Sequence, residues 1–302
     1  MSIFKGSAVA LVTPFKNGKI DYDAVEKLIK WHIKVGTDAI VVCGTTGEAS
    51  TLSDIERISL VEFTVRKVDN KIPVIAGAGT NDTSKTMFLS KEFFYAGADG
   101  LLIVTPYYNK TTQQGLINHY TMIADASDLP IIMYSVKSRT GLNIEPATVE
   151  ILSKHPKICG IKEASGDISQ ITRISRYIND SFDLYSGNDD HTVSIMALGG
   201  IGCISTVANI IPMEYHEMCQ CYLNGHTMAA CKAQQAMLPL IDACFAEVNP
   251  MPVKAALNMM SFIEREYRMP LCEPSNKTLY LLFDAMKRYG IKIDDNYNYA
   301  IT

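Results

Sequence analysis

The chain has 302 residues, 47% of them hydrophobic, enough to bury one large core or two smaller ones. A formal net charge of -4, with no Lys/Arg-rich stretch, argues against nucleic acid as a partner. No apolar run approaches the roughly 18 residues of a membrane span, and Met1-Ser2-Ile3-Phe4-Lys5-Gly6 has no hydrophobic signal region. The expectation is a cytoplasmic protein that meets neither membrane nor nucleic acid.

Two patterns alternate along the chain, eight times over. Apolar, β-branched runs fall at residues 7–15, 39–44, 72–77, 100–107, 130–136, 158–163, 182–187 and 200–207. Most are continuous rather than alternating, which suits parallel strands covered on both faces. The segments between them carry helical period. In the first, Val25, Leu28, Ile29 and Ile33 form an apolar stripe at spacings of three and four, with Gly36 placed as the stop. The second opens with Ser53-Asp54-Ile55-Glu56, a capping box in which Ser53 and Glu56 satisfy each other's orphan N–H groups. Pro146 suits the first turn of the fifth helix, and Asp167 with Gln170 is placed to cap the sixth.

Eight strand–helix units predict a (β/α)8 TIM barrel over residues 1–224. A doubly wound open sheet lacks support, because Val12-Thr13-Pro14-Phe15 follows the first run where a Gly-rich phosphate loop would stand. From about residue 211 the strand signal stops. Helical segments at about 213–223, 226–247, 252–264 and 275–289 predict a C-terminal helical domain over residues 225–302. Of the eight cysteines, Cys43, Cys159, Cys203 and Cys244 lie in apolar runs, and Cys219 with Cys221 lacks a second ligand pair at zinc spacing. Free thiols are expected.

Barrel enzymes work at the C-terminal ends of their strands. Those ends supply Thr13-Pro14, Gly44-Thr45-Thr46-Gly47-Glu48, Thr105-Pro106-Tyr107-Tyr108-Asn109, Tyr134 with Ser138-Arg139-Thr140-Gly141, Lys162, Ser186-Gly187-Asn188-Asp189 and Ile204-Ser205. The rim has no His cluster and no carboxylates at metal spacing, so neither metal nor nucleotide cofactor is expected. Lys162 ends the run Ile158-Cys159-Gly160-Ile161 and precedes Glu163-Ala164-Ser165-Gly166. A lysine at a strand mouth, half out of water, gains neutral-amine character from desolvation, and a neutral amine attacks carbonyls to give a Schiff base. The competing reading is a solvated lysine at a strand end. The rim as a whole fits carbonyl chemistry on carboxylated substrates.

Taken together, the segments at 44–48, 106–109, 134–141, 160–163 and 185–189 resemble the dihydrodipicolinate synthase/N-acetylneuraminate lyase family, the synthase side most closely. The likeness runs in order over nearly the whole barrel and includes the helical tail. It implies a class I, Schiff-base aldol condensation of pyruvate with L-aspartate 4-semialdehyde to 4-hydroxy-tetrahydrodipicolinate, on the way to diaminopimelate and lysine. By the same resemblance Lys162 forms the Schiff base and Tyr134 relays protons, with Thr45 and Tyr108 completing the relay. Tyr108 reaches in from a neighbouring subunit. Thr45 and Thr46 bind the pyruvate carboxylate, Arg139 binds the carboxylate of the aldehyde, and the backbone at Gly187 and Ile204 lines the pocket near Lys162. A homotetramer built from tight dimers follows from the resemblance too.

Two departures fall beside Tyr134. The family commonly reads Tyr-Asn-Val-Pro before Ser-Arg-Thr-Gly, whereas this chain reads Tyr134-Ser135-Val136-Lys137. Losing proline at 137 frees φ and restores an N–H, which predicts a looser loop for Arg139. The second substrate is therefore open to an alternative: another pyruvate-dependent Schiff-base aldolase or lyase on a different aldehyde or sugar acid. A non-catalytic barrel is a third reading, disfavoured by Lys162, Tyr134, Thr45 and Tyr108 together. Lysine-inhibited members hold the effector with histidine, asparagine, glutamate and tyrosine. Asn81 and Tyr107 match that pattern, but Asp54 and Arg57 stand at the histidine positions and Lys85 at the glutamate position. A cationic Lys85 repels the effector's ammonium, so feedback by lysine is expected to be weak or absent.

Overall fold

A computed structural model describes residues 2–295. Eight strands close into a parallel barrel: β1 (Gly6–Ala10), β2 (Ala39–Val42), β3 (Val74–Gly77), β4 (Gly100–Val104), β5 (Ile131–Ser135), β6 (Ile158–Glu163), β7 (Asp183–Ser186) and β8 (Gly202–Ser205). Each strand pairs with its neighbours in sequence, and β1 closes the ring by pairing β8 (Gly6 with Gly202) as well as β2 (Ala8 with Ala39). The (β/α)8 expectation holds. Between strands lie α1 (Tyr22–Lys34), α2 (Asp54–Val68), α3 (Thr83–Tyr95), α4 (Gln113–Ala126), α5 (Pro146–Leu152), α6 (Ile168–Ile174) and α7 (Thr192–Ala197), and α8 (Pro212–Leu223) follows β8.

The local signals act as their chemistry predicts. Ser53 and Glu56 form the reciprocal capping box of α2, and Pro146 opens α5. Asp167 accepts from the backbone N–H groups of Ser169 and Gln170 at the start of α6. α1 stops at Lys34, with Gly36 at φ +93°, and buries Val25, Leu28 and Ile29. Ile33 is only half-buried, while His32 is fully buried on that face.

Only β6 has the span of its apolar run. The 72–77 run starts early and ends with β3, and the other six overshoot at the C-terminal end, as β1 illustrates. Leu11, Val12 and Thr13 are buried although ladder pairing has ended at Ala10. Val12 N–H donates to Asn209 Oδ1 and Thr13 Oγ1 to Gly47 O, so the segment stays buried where the strand does not continue. The C-terminal tail contains α9 (Thr227–Cys244), α10 (Met251–Met259) and α11 (Asn276–Tyr289). α10 buries every residue but Asn258. The barrel interior holds its own apolar cluster, including Phe4, Ala8, Val41, Ile132, Tyr134, Tyr185 and Ile204. Phe4 stacks on Tyr185 at 4.5 Å and plugs the N-terminal mouth, and the rim opposite is left for chemistry.

Candidate active site

The parallel register of β5 and β6 sets Tyr134 beside Lys162 and Ser135 beside Glu163. The Lys162 Nζ lies 4.4 Å from the centroid of the Tyr134 ring. Lys162 is 6% exposed, deeper than the half-solvated position expected of a strand mouth. The rim loops close over it, which a run of apolar residues in one strand does not reveal. Gly187 is part of the enclosure: a Cβ there would stand 3.1 Å from Lys162 Cε and 2.7 Å from Ala164 Cβ. A side chain at 187 would therefore displace the lysine stem. Ile204 is buried in the same inner cluster as Tyr134.

A cavity of about 380 Å³ opens at this rim, with Gly44, Thr45, Tyr107, Tyr134, Arg139 and Asn249 in its wall. Tyr134 belongs both to the cavity and to the lysine, so it stands between them. Thr46, Lys162, Gly187 and Ile204 are not in the cavity wall. Thr45 and Tyr134 share the wall, but no hydrogen bond joins them among the described residues. Tyr108 is not brought to the site by its own chain. It is 92% exposed, with a left-handed backbone at φ +68°.

The tail supplies residues that sequence reasoning missed. Asn249 donates from Nδ2 to Thr46 Oγ1 at 2.9 Å, and its backbone carbonyl accepts from Arg139 Nη2 at 2.9 Å. Lys254, fully buried in α10, pairs with the buried Glu48 at 2.5 Å. Burial pushes the Lys254 ammonium down from its ordinary range, and Glu48 opposes that shift. Arg268 spans the same joint, donating to Glu56, Thr51 O and Gly18 O. One signal was available. Lys254 sits within Pro252-Val253-Lys254-Ala255-Ala256-Leu257, apolar all round, and such a lysine requires a buried carboxylate. Asn249 carries no comparable mark.

The loop bearing Arg139 is a single helical turn, Lys137–Thr140, closed by Gly141 N–H to Lys137 O at 2.9 Å. Ser135, one of the two departures, holds its far side. The buried Ser135 hydroxyl donates to Asn143 Oδ1 at 3.0 Å and accepts from Ile144 N at 3.2 Å. Asn143 bonds to Gln170, and Gln170 Nε2 reaches Glu163 Oε2 at 3.4 Å. Glu163 also accepts from Ser165 N at 2.7 Å, and burial pushes its carboxyl upward. A polar chain thus ties the residue after Lys162 to the residue after Tyr134, and both to the Arg139 loop.

The profile of the Dihydrodipicolinate synthetase family matches residues 3–288. The chain belongs to this family. It is 51% identical over 297 residues, 98% of this chain and 100% of the relative, to a 4-hydroxy-tetrahydrodipicolinate synthase from Thermoanaerobacter sp. strain X514. Among solved structures it superposes on dihydrodipicolinate synthase from Thermotoga maritima with a TM-score of 0.94 at 44% identity, covering 96% of this chain and 100% of that one. A monomeric dihydrodipicolinate synthase variant matches with the same score and identity, over 96% of this chain and 98% of its own.

The rim cavity extends to a second wall made of Asp54, Arg57, Asn81, Lys85 and Tyr107. Lys85 is paired with Asp54 at 3.0 Å, and Arg57 donates to Gly77 O at 2.5 Å. No group of three or more His, Cys, Asp or Glu among the described residues could hold a metal ion. No described helix is long and apolar enough to cross a membrane, and all eight cysteines are free.

Proposed function

We propose that the chain catalyses the class I aldol condensation of pyruvate with L-aspartate 4-semialdehyde, giving 4-hydroxy-tetrahydrodipicolinate. The carrying observation is the Lys162–Tyr134 pair, amine over phenol ring at 4.4 Å on adjacent strands, with Tyr134 in the wall of the rim cavity. Relatives named for this synthase, at about half identity over the full length, support the same reading.

Lys162 adds to the pyruvate ketone, and loss of water leaves an iminium. The iminium withdraws electrons, so the methyl group yields a proton and an enamine forms. The enamine carbon attacks the aldehyde, whose oxygen takes a proton and becomes the 4-hydroxyl. The amino group of the former aldehyde then adds to the iminium carbon and displaces Lys162, closing the ring. Tyr134 carries these protons in this mechanism, with Thr45 as its relay partner. Thr45 and Thr46 hold the pyruvate carboxylate. Arg139 presents a planar fork to the carboxylate of the aldehyde.

Tyr108 requires a second copy of the chain. Its 92% exposure fits a side chain that completes a neighbour's site, and we assign the working form as a homotetramer of tight dimers in the cytoplasm. Because a monomeric variant stands among the similar folds, sizing the active species decides this. A fully active monomer refutes the shared site.

The test of function is turnover of pyruvate with L-aspartate 4-semialdehyde, coupled to a dihydrodipicolinate reductase and followed by nicotinamide oxidation. Borohydride with pyruvate should trap an adduct on Lys162 and none on Lys162→Ala. An adduct without turnover of the amino aldehyde would move the assignment to a different aldehyde acceptor.

A further inference from the structure

Asn249 carries an acceptor that the protein does not use. The residue is 6% exposed and lines the rim cavity, and its Oδ1 is buried without a hydrogen-bond partner. A buried amide oxygen left unpaired is a standing cost, so such atoms are usually matched to something. In this orientation Nδ2 donates to Thr46 Oγ1 at 2.9 Å, and Thr46 Oγ1 has Thr206 Oγ1 at 3.2 Å as a further partner.

The rest of the cavity narrows what that something is. Two carboxylates line it, Glu48 and Asp54, and both are committed, to Lys254 and to Lys85. A cationic group entering the cavity therefore finds no open carboxylate in its wall. The Asn249 backbone carbonyl, meanwhile, holds Arg139 Nη2 at 2.9 Å. The side-chain oxygen is thus one residue's width from the fork that takes a carboxylate. In an α-amino acid the ammonium and the carboxylate share one carbon, so their readers must stand side by side.

We infer that Asn249 is a specificity residue, its Oδ1 accepting a hydrogen bond from the α-ammonium of the aldehyde substrate while Arg139 holds that substrate's carboxylate. The ammonium supplies the missing donor, and the bond is charge-assisted. A des-amino aldehyde acid fills the same place and leaves Oδ1 unpaired. One residue of the tail thereby couples Thr46 on the pyruvate side to the two polar groups of the second substrate. The inference rests on the second substrate proposed above.

The experiment compares L-aspartate 4-semialdehyde, as substrate, with 4-oxobutanoate, its des-amino counterpart, as competitive inhibitor. In Asn249→Ala, kcat/KM for the amino aldehyde should fall about tenfold to a hundredfold, the range for stranding one buried polar contact. The inhibition constant of 4-oxobutanoate should stay within about twofold, and borohydride should still trap pyruvate on Lys162. Equal weakening of both compounds would show that Asn249 only props Arg139 and Thr46, and no weakening of either would show that Oδ1 meets no ligand. Both results overturn the inference.

If Asn249→Ala traps no pyruvate, Asn249→Asp replaces it, keeping an acceptor of the same shape. Preference for the amino compound should then hold or rise, and a tenfold loss of that preference refutes the assignment. Wild-type enzyme that traps pyruvate yet never consumes the amino aldehyde fails the substrate reading itself, before any variant is made.

Discussion

Replacing Lys254 by methionine removes one half of a fully buried ion pair and leaves Glu48 to find another state. Side-chain exposure is 0% for both partners and their separation is 2.5 Å, so water does not reach the carboxylate, which keeps only the Arg268 backbone N–H at 3.3 Å. Breaking such a pair costs about 3–5 kcal/mol when the survivor stays charged. The survivor has an alternative, because a glutamate can take a proton. From an ordinary value near 4.3, neutralising a glutamate at pH 7 costs about 3.7 kcal/mol, and at pH 5 about 1 kcal/mol. The lower branch governs, so the penalty should be about 3–4 kcal/mol near neutrality and shrink by about 1.4 kcal/mol per pH unit on acidification. The sign follows from linkage: the folded variant binds a proton that the unfolded chain releases, so its relative stability is greatest at low pH and is lost as pH rises. Trp31 is the only tryptophan of the chain and packs on Phe262 at 4.5 Å, between α10 and α11, so its fluorescence reports docking of the tail during urea unfolding. The double variant Glu48→Gln/Lys254→Met should recover most of the loss at pH 7.5. The reasoning is refuted if Lys254→Met matches wild type at pH 7.5, or if its deficit fails to shrink towards pH 5.5.

Ser135→Ala strands Ile144 N and breaks the link to Asn143, so KM for the aldehyde should rise about tenfold while KM for pyruvate changes little. Equal changes in both constants would show that this polar chain does not act through the Arg139 loop. L-lysine at submillimolar concentration should inhibit little, because in the second wall Lys85 is paired with Asp54 and Arg57 adds a further positive charge, leaving no open carboxylate for the effector's ammonium. Half-inhibition of active enzyme in that range contradicts the charge argument. Burial holds the His32 imidazole near a pKa of about 3, far below its unfolded range near 6.5. That depressed value contributes stability above pH 6.5, lost as pH falls, at up to about 1.4 kcal/mol per unit. His32→Leu should flatten the slope between pH 6 and 4, and an unchanged slope would assign acid lability to other groups.

The barrel was legible because its evidence is redundant. Eight apolar runs, the capping box at Ser53 and Glu56, and Pro146 at a helix start all point to one architecture. Strand ends were less legible, since Leu11 and Val12 stay buried after pairing stops. Lys162 was singled out as a lysine at a strand mouth and Tyr134 by the family resemblance, and the register of the two strands sets them side by side. In the sequence Ser135 is only a departure from the family's asparagine beside Tyr134. In the fold its hydroxyl is the clip that holds the loop, because Asn143 and Gln170 complete a circuit across 35 residues of chain that no local pattern announces.

Asn249 marks the deeper limit. Its proposed role depends on contacts spread across the loop after β2, the Arg139 turn and the cavity, and none has a sequence period or a spacing. The tail therefore cannot be read as an appendage to a self-sufficient barrel. Glu48 belongs to the same short loop as Thr45 and Thr46, and it is held from α10 by Lys254. The loop carrying Thr45 and Thr46 and the turn carrying Arg139, to which the proposed function gives the two substrate carboxylates, are thus both fastened to the tail, through bonds made at 46, 48 and 139. Undocking the helices would release both carboxylate readers while leaving Lys162 and Tyr134 on their strands. In the proposed mechanism Schiff-base formation and substrate selection are accordingly separable, the first resting on strand register and the second on the bonds between the tail helices and the rim.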